Sequence, residues 1–95
     1  ILRGKTPVLV DFTATWCGPC KMMKPELERL HQRMGDKVRI IKIDIDQSPA
    51  AAQAYQVQSV PTLLLFQEGK QLWRQSGVIP AVQLEKIIEQ YTTNV

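Results

Sequence analysis

Cysteine is scarce in this 95-residue chain: there are two, Cys17 and Cys20, and a single histidine, His31. Two thiols so close together cannot form the several long-loop bridges of a disulfide-stapled secreted fold. A zinc site needs four ligands, and with His31 as the only plausible third the set falls short. A c-type haem attachment needs histidine directly after the second cysteine, and Lys21 stands there. What remains for the pair is redox chemistry or two inert thiols packed as small hydrophobes.

Long apolar runs are missing as well. Leu63 to Phe66 is a typical one, far below the ~20 residues of a membrane-spanning helix. No basic start leads into an apolar stretch, so no secretory leader is visible, and a start at Ile1 rather than Met is compatible with a removed upstream segment. A dense basic patch is absent too. The chain carries 12 Lys and Arg against 9 Asp and Glu, a formal charge of +3, and Glu26, Glu28 and Asp36 interrupt the cations between Lys21 and Lys42. That pattern reads as a solvated helix face and not as a nucleic-acid surface. With 44% hydrophobic and 22% charged residues, the chain is expected to fold as one globular domain over residues 1–95.

The periodicity predicts the elements. Val8 to Phe12 is a short apolar run after a proline and reads as a buried strand. From Cys17 to Met34 the spacing turns helical, with Met23, Leu27, Leu30 and Met34 on one stripe, Pro25 expected to kink the helix, and Gly35 ending it. A second strand is expected over Val38 to Ile45. Ser48 with Pro49 reads as a capped start to a short helix over Ala50 to Tyr55. Thr62 to Phe66 and Gln71 to Gln75 form a hairpin about Gln67 to Lys70. A last helix presents Leu84, Ile87, Ile88 and Tyr91. The order β-α-β-α-β-β-α implies an α/β fold: a parallel pair from the first crossover, an antiparallel hairpin, and helices on both faces of one small mixed sheet.

Cys17 follows a strand and opens a helix. The first N–H groups of a helix lack internal partners and, with the helix dipole, favour negative charge on a sulfur placed there. A thiolate is the nucleophile of disulfide exchange. Cys20 lies on the same side of the first turn, within reach of a disulfide to Cys17, and its deeper position should shield it more. The spacing therefore assigns attack to Cys17 and resolution to Cys20. Pro19 stiffens the turn and places no cation between the thiols. Because oxidising strength tracks the stability of the reduced form, this loop leans toward a reductant.

Val10-Asp11-Phe12, Trp16-Cys17-Gly18-Pro19-Cys20-Lys21, Pro25, Asp44-Ile45-Asp46 and Val60-Pro61-Thr62-Leu63-Leu64-Leu65-Phe66 together resemble the thioredoxin family, in its order and spacing, from about Ile1 to the last helix. The resemblance implies the thioredoxin fold, here with a four-stranded sheet. It also implies a thiol–disulfide oxidoreductase that reduces protein disulfides, needs no metal or organic cofactor, and draws electrons from a thioredoxin reductase. A dithiol kept reduced suits a cytoplasmic setting.

Supporting residues are read in the same two ways. Asp11 interrupts a strand expected to be covered on both faces; burial costs a carboxylate its charge, and the resemblance makes it the acid that takes the Cys20 proton. The alternative is a strand-end Asp turned to solvent. Lys42, between Ile41 and Ile43, either tunes Asp11 from the neighbouring strand or snorkels over the sheet. By resemblance, Pro61 is a cis proline facing the cysteines, and Trp16, Gly18, Pro19, Val60, Pro61 and Gly77 flank a groove in which Val60 pairs with an extended substrate. On their own evidence Trp16 is a core candidate, Pro61 a turn proline and Gly77 a turn glycine. Trp73 reads as packing or surface cover and His31 as a solvated side chain. Thr13 stands where some members of the family carry Trp. The family also has a further strand and helix before this start, of which Ile1 to Gly4 would be the tail. Without that strand, Val38 to Ile45 becomes a sheet edge, which predicts a low-stability monomer or a weak edge-strand dimer.

Overall fold

A computed structural model describes residues 4–92. The elements run β1 (Val8–Thr13), α1 (Gly18–Met34), a 3-10 turn (Gly35–Lys37), β2 (Arg39–Asp44), α2 (Pro49–Ala54), β3 (Thr62–Gln67), β4 (Lys70–Ser76) and α3 (Ala81–Tyr91). The expected order holds, with strand ends shifted by a residue or two. The suggested helix tail at Ile1 to Gly4 lies largely outside the described residues; Gly4 itself is in a bend, and its carbonyl accepts from the Glu68 N–H at 3.0 Å.

The strands form one mixed sheet in the order β2-β1-β3-β4, with β1 parallel to β2 and antiparallel to β3, and β4 antiparallel to β3. Among the described residues β2 is an edge strand, as expected. Side chains alternate across β1, so Leu9 joins the core under α1 and α3 while Val8, Val10 and Phe12 join the core under α2. Helices thus cover both faces. Leu9, Leu63 and Leu65 meet the stripe Met23, Leu27, Leu30 and Met34 of α1 together with Leu84 and Ile88 of α3. On the other face Tyr55 closes over Phe12 and Phe66, with ring centroids 6.1 and 5.4 Å away.

Two expectations need correction. Tyr91 is 45% exposed, because as the last residue of α3 it lies past the turns that pack; Ala81 takes a buried place on that face instead. Ser48 is the N-cap of α2, but its hydroxyl makes no capping bond. The turn before α2 is organised by Asp44, whose Oδ1 accepts from the Asp46 and Gln47 N–H groups at 2.8 and 3.3 Å, and whose carbonyl accepts from the Ser48 N–H. Pro25 lies inside α1, which runs from Gly18 to Met34. Gly35 does end it, at φ 54°, with its N–H donating to the His31 carbonyl.

The start of α3 is tied to α1 by polar contacts that the apolar pattern does not reveal. Pro80 at its N-cap has no side-chain bond to offer, and Glu26 of α1 supplies one, its Oε1 accepting from the Ala81 N–H at 2.9 Å. Arg33 and Glu85 pair between the same helices at 2.7 Å. The stripe of α1 carries the larger share of this packing. Leu30→Ala should therefore lower unfolding stability by ~2–5 kcal/mol in urea titration, whereas Met22→Ala, on the exposed face, should change it by no more than ~0.5 kcal/mol.

Candidate active site

Residues 14–17 carry the chain from β1 into α1, and Cys17 is the helix N-cap, with an extended backbone at φ −89° and ψ 115°. Its Sγ accepts a hydrogen bond from the Cys20 N–H at 3.1 Å. A sulfur occupies the place usually held by a Ser or Asp oxygen, answering a helix donor that would otherwise lack a partner. Pro19 falls in the first turn, where its missing N–H costs nothing. Cys17 and Cys20 are joined in a disulfide with Cα atoms 5.3 Å apart, so the structure is that of the oxidised form.

The two cysteines are covered almost equally, at 4% and 6% exposure, which corrects the expectation that Cys20 would be the more shielded of the two. Cys17 is covered because the pair packs with Ala14, Ile45 and Val60. Gly18 and Pro19 are exposed and present the loop to solvent. Trp16 is 67% exposed, which excludes the core alternative; its Nε1 donates to Asp46 Oδ2 at 2.8 Å.

Opposite the disulfide lies the Val60–Pro61 peptide, which is cis. Cys17 Sγ is 3.6 Å from the Val60 carbonyl oxygen. The Gly77 N–H donates to the Pro61 carbonyl at 2.9 Å, and Gly77 sits at φ 101°, a conformation that side-chain-bearing residues rarely adopt. Trp16, Cys17, Val60, Pro61 and Gly77 are thus brought to one end of the sheet. Gly77 has a defined role there, bonded to the cis proline.

Asp11 is on the α1 side of β1 and 3% exposed, which excludes the solvent-facing alternative. Its Oδ1 has no hydrogen-bond partner among the described residues. It lines a pocket of about 320 Å³ with Thr13, Ala14, Thr15, Cys20, Lys21, Lys24 and Lys42, so the acid and the second cysteine border one cavity that opens to solvent past the lysines. Burial pushes the Asp11 carboxyl up from 3.8 to about 6, against an opposing pull from Lys42. Lys42 is in register with Asp11 across the parallel pair. Lys42 is exposed, and its charge lowers the proton affinity of its neighbour.

In the sequence Asp46 stands only within the Asp44-Ile45-Asp46 string, with no role of its own. It belongs to the site because β2 runs parallel to β1 and ends beside it, with Asp44 opposite Thr13. His31 is exposed on α1, outside the residues that surround the cysteines. Among the described residues no group of three or more His, Cys, Asp and Glu is placed to hold a metal ion, and no helix is long and apolar enough to cross a membrane.

The family model described as Thioredoxin matches residues 1–90. A thioredoxin-like protein of Synechocystis is 53% identical over 78 residues, covering 82% of this chain and 74% of its own. The chloroplastic thioredoxin Y of Oryza sativa is 44% identical over 92% of this chain, which spans about half, 52%, of that relative's length. Among solved structures, a mutant thioredoxin of Halobacterium salinarum superposes with a TM-score of 0.84 at 42% identity, covering 96% of this chain and 79% of its own.

The stability effect of Asp11 has a definite sign. Below pH 3.8 the carboxyl is protonated both folded and unfolded and makes no difference. As pH rises toward about 6, the unfolded chain releases its proton while the fold retains it, so stability falls through that window. Above it the deficit is complete, and a shift of this size corresponds to ~3 kcal/mol. Asp11→Asn should raise unfolding stability by ~2–3 kcal/mol at pH 7 and add almost nothing at pH 3.5. Urea titrations at the two pH values check it; equal gains at both would mean that the carboxylate charge is not the cause.

Proposed function

The chain belongs to the thioredoxin family, and from that premise we propose that it reduces protein disulfides through a mixed disulfide on Cys17, with Asp11 as the proton acceptor for Cys20. Thiol–disulfide oxidoreductase chemistry is the activity of the family, and the cysteine pair that performs it is present here as a disulfide. The observation that carries the assignment of roles is Cys17 at the α1 N-cap, its sulfur already accepting from the Cys20 N–H.

In the reduced protein the same donor and the helix dipole stabilise a Cys17 thiolate. That thiolate attacks one sulfur of the substrate disulfide; the S–S bond breaks, and the other substrate sulfur leaves with the electron pair. Asp11 then takes the Cys20 proton through the shared cavity. The Cys20 thiolate attacks Cys17 in the mixed disulfide and expels the second substrate thiolate. Two electrons have moved from the dithiol to the substrate, and the Cys17–Cys20 bridge is left. Replacing Asp11 with Asn removes the acceptor and should slow the second step more than the first.

The substrate is held as an added strand along Val60, with Trp16, Gly18, Pro19 and Gly77 lining the groove. Val60 and Gly77 are half-buried, whereas Gly18 and Pro19 are open to a partner. Electrons return to the bridge from a thioredoxin reductase, and the reaction needs no metal or organic cofactor. A reducing compartment such as the cytoplasm suits a dithiol of this poise. The protein works as a monomer or as a weak dimer joined along the β2 edge.

Cys20→Ser separates this reading from a redox-inert docking module. With the resolving thiol gone, the variant should accumulate adducts through Cys17 that dithiothreitol releases, while the unaltered chain with a thioredoxin reductase should reduce insulin disulfides. Reversible binding without covalent adducts would support the docking module instead.

A further inference from the structure

Two residues of β4 lie outside the chemistry described so far, and both reach across to the segment that precedes the cis proline. Arg74 and Ser76 are two apart and therefore on the same face of β4. The register places Arg74 opposite Leu64 and Ser76 opposite Thr62, on the side of the sheet that α2 covers. Arg74 donates from Nη1 to the Tyr55 carbonyl at 2.5 Å and from Nη2 to the Gln56 carbonyl at 2.6 Å. Gln56 has φ 55°, so the chain turns sharply there as it leaves α2. Charge-assisted bonds to both carbonyls hold that turn in place.

Ser76 acts on the other end of the same segment. Its Oγ lies 2.9 Å from Thr62 Oγ1 and accepts from Ser59 Oγ at 3.2 Å. Thr62 Oγ1, which is buried, also donates to the Ser59 carbonyl at 2.7 Å. Immediately beyond Ser76, the Gly77 N–H binds the Pro61 carbonyl. One strand thus grips both the beginning and the end of the stretch that carries Val60.

The geometry points to Arg74 and Ser76 as positioning residues for substrate recognition: β4 acts as a splint that holds Val60 and Pro61 at the distance from Cys17 at which an extended substrate can pair. This rests on the strand-pairing reading of Val60 given above. Neither residue touches sulfur. The splint bears on how a long substrate is aligned and not on how reactive Cys17 is.

The test compares two substrates in Ser76→Ala, Ser76→Thr, Arg74→Met and Arg74→Lys. Insulin needs the aligned backbone at Val60, whereas hydroxyethyl disulfide reaches Cys17 without it. Ser76→Ala and Arg74→Met should each raise the KM for insulin by about 3- to 10-fold with little change in kcat, the effect of losing uniform binding. Their rates with hydroxyethyl disulfide should match those of the unaltered protein, and their urea midpoints should fall only by the small amount that a lost hydrogen bond costs. Ser76→Thr, which restores a hydroxyl, should recover the insulin KM, and Arg74→Lys should recover it in part. Equal losses on both substrates, no loss on insulin, or a Ser76→Ala defect that Ser76→Thr does not repair would each overturn the proposal. Nitrogen-15 relaxation gives an answer that does not depend on activity. The order parameter of the Val60 amide should fall in Ser76→Ala and Arg74→Met while those of β1 hold, and an unchanged Val60 would also refute the splint. If the unaltered protein fails to reduce insulin at all, the disulfide-reductase reading falls, and relaxation still decides the splint.

Discussion

The hydrogen bond from the Cys20 N–H to Cys17 Sγ is the contact on which the rest of the structure bears. It exists only if a helix begins at Gly18 and points its first donors back at the sulfur. The position of that beginning is not set locally. Met23, Leu27, Leu30 and Met34 fix α1 in rotation and height by packing on Leu9, Leu63 and Leu65. Glu26 and Arg33 anchor the same helix to α3 on its more exposed side. A buried stripe far from the sulfur therefore determines where the sulfur sits. The helix field in turn acts on a site that Ala14, Ile45 and Val60 keep largely free of water, where electrostatic interactions are stronger than at the surface.

Asp11 is the opposite kind of feature. It adds nothing to packing that Leu or Val would not, and it leaves an oxygen unsatisfied inside the molecule. Its position in β1 puts it on the α1 face, between Leu9 and Thr13, where the pleat would otherwise have a hydrophobe. The carboxyl is pushed up to about 6 because of that placement, and Lys42 restrains the shift without cancelling it. A group that weakens the fold near neutral pH is kept where it shares a cavity with Cys20. Buried acids with displaced proton affinities gather at reactive sites for this reason.

The parts of this arrangement that were legible in the sequence are those set by a repeating pattern or by a short rigid motif. The α1 stripe, the element order and the buried β3 run follow from the spacing of apolar residues alone. Asp11 stood out because a charge inside an apolar strand has few places to go. The cysteine pair stood out by its place at a helix start. What could not be read depends on register between distant segments. Nothing near Trp16 announces that Asp46 will bind its indole nitrogen. Arg74 and Ser76 are polar positions of β4, and no local pattern shows that they meet the chain beyond α2. The cover over Cys17 escaped notice for the same reason, since Ile45 and Val60 reach it from either side of α2.

Sheet topology explains why so many of these residues meet. β1 and β2 are parallel, so Thr13 and Asp44 lie side by side at their carboxyl ends, and the chain leaves each toward Trp16 and Asp46 respectively. β3 runs the other way and begins at the same end, placing Thr62 opposite Phe12 with Val60 and Pro61 just before it. β4 reverses once more and finishes there, with Ser76 opposite Thr62 and Gly77 just after it. Three carboxyl ends and one amino end therefore open onto one rim. Ligand sites of open α/β sheets collect at the carboxyl ends of parallel strands, and here the antiparallel hairpin contributes to the same rim by presenting its entry and exit there. The rim thus combines helix-derived electrostatics on one side with the backbone of the cis Val60–Pro61 peptide on the other. Asp11 and Lys42 stand further down the strands, in register with each other, the acid buried and the lysine exposed.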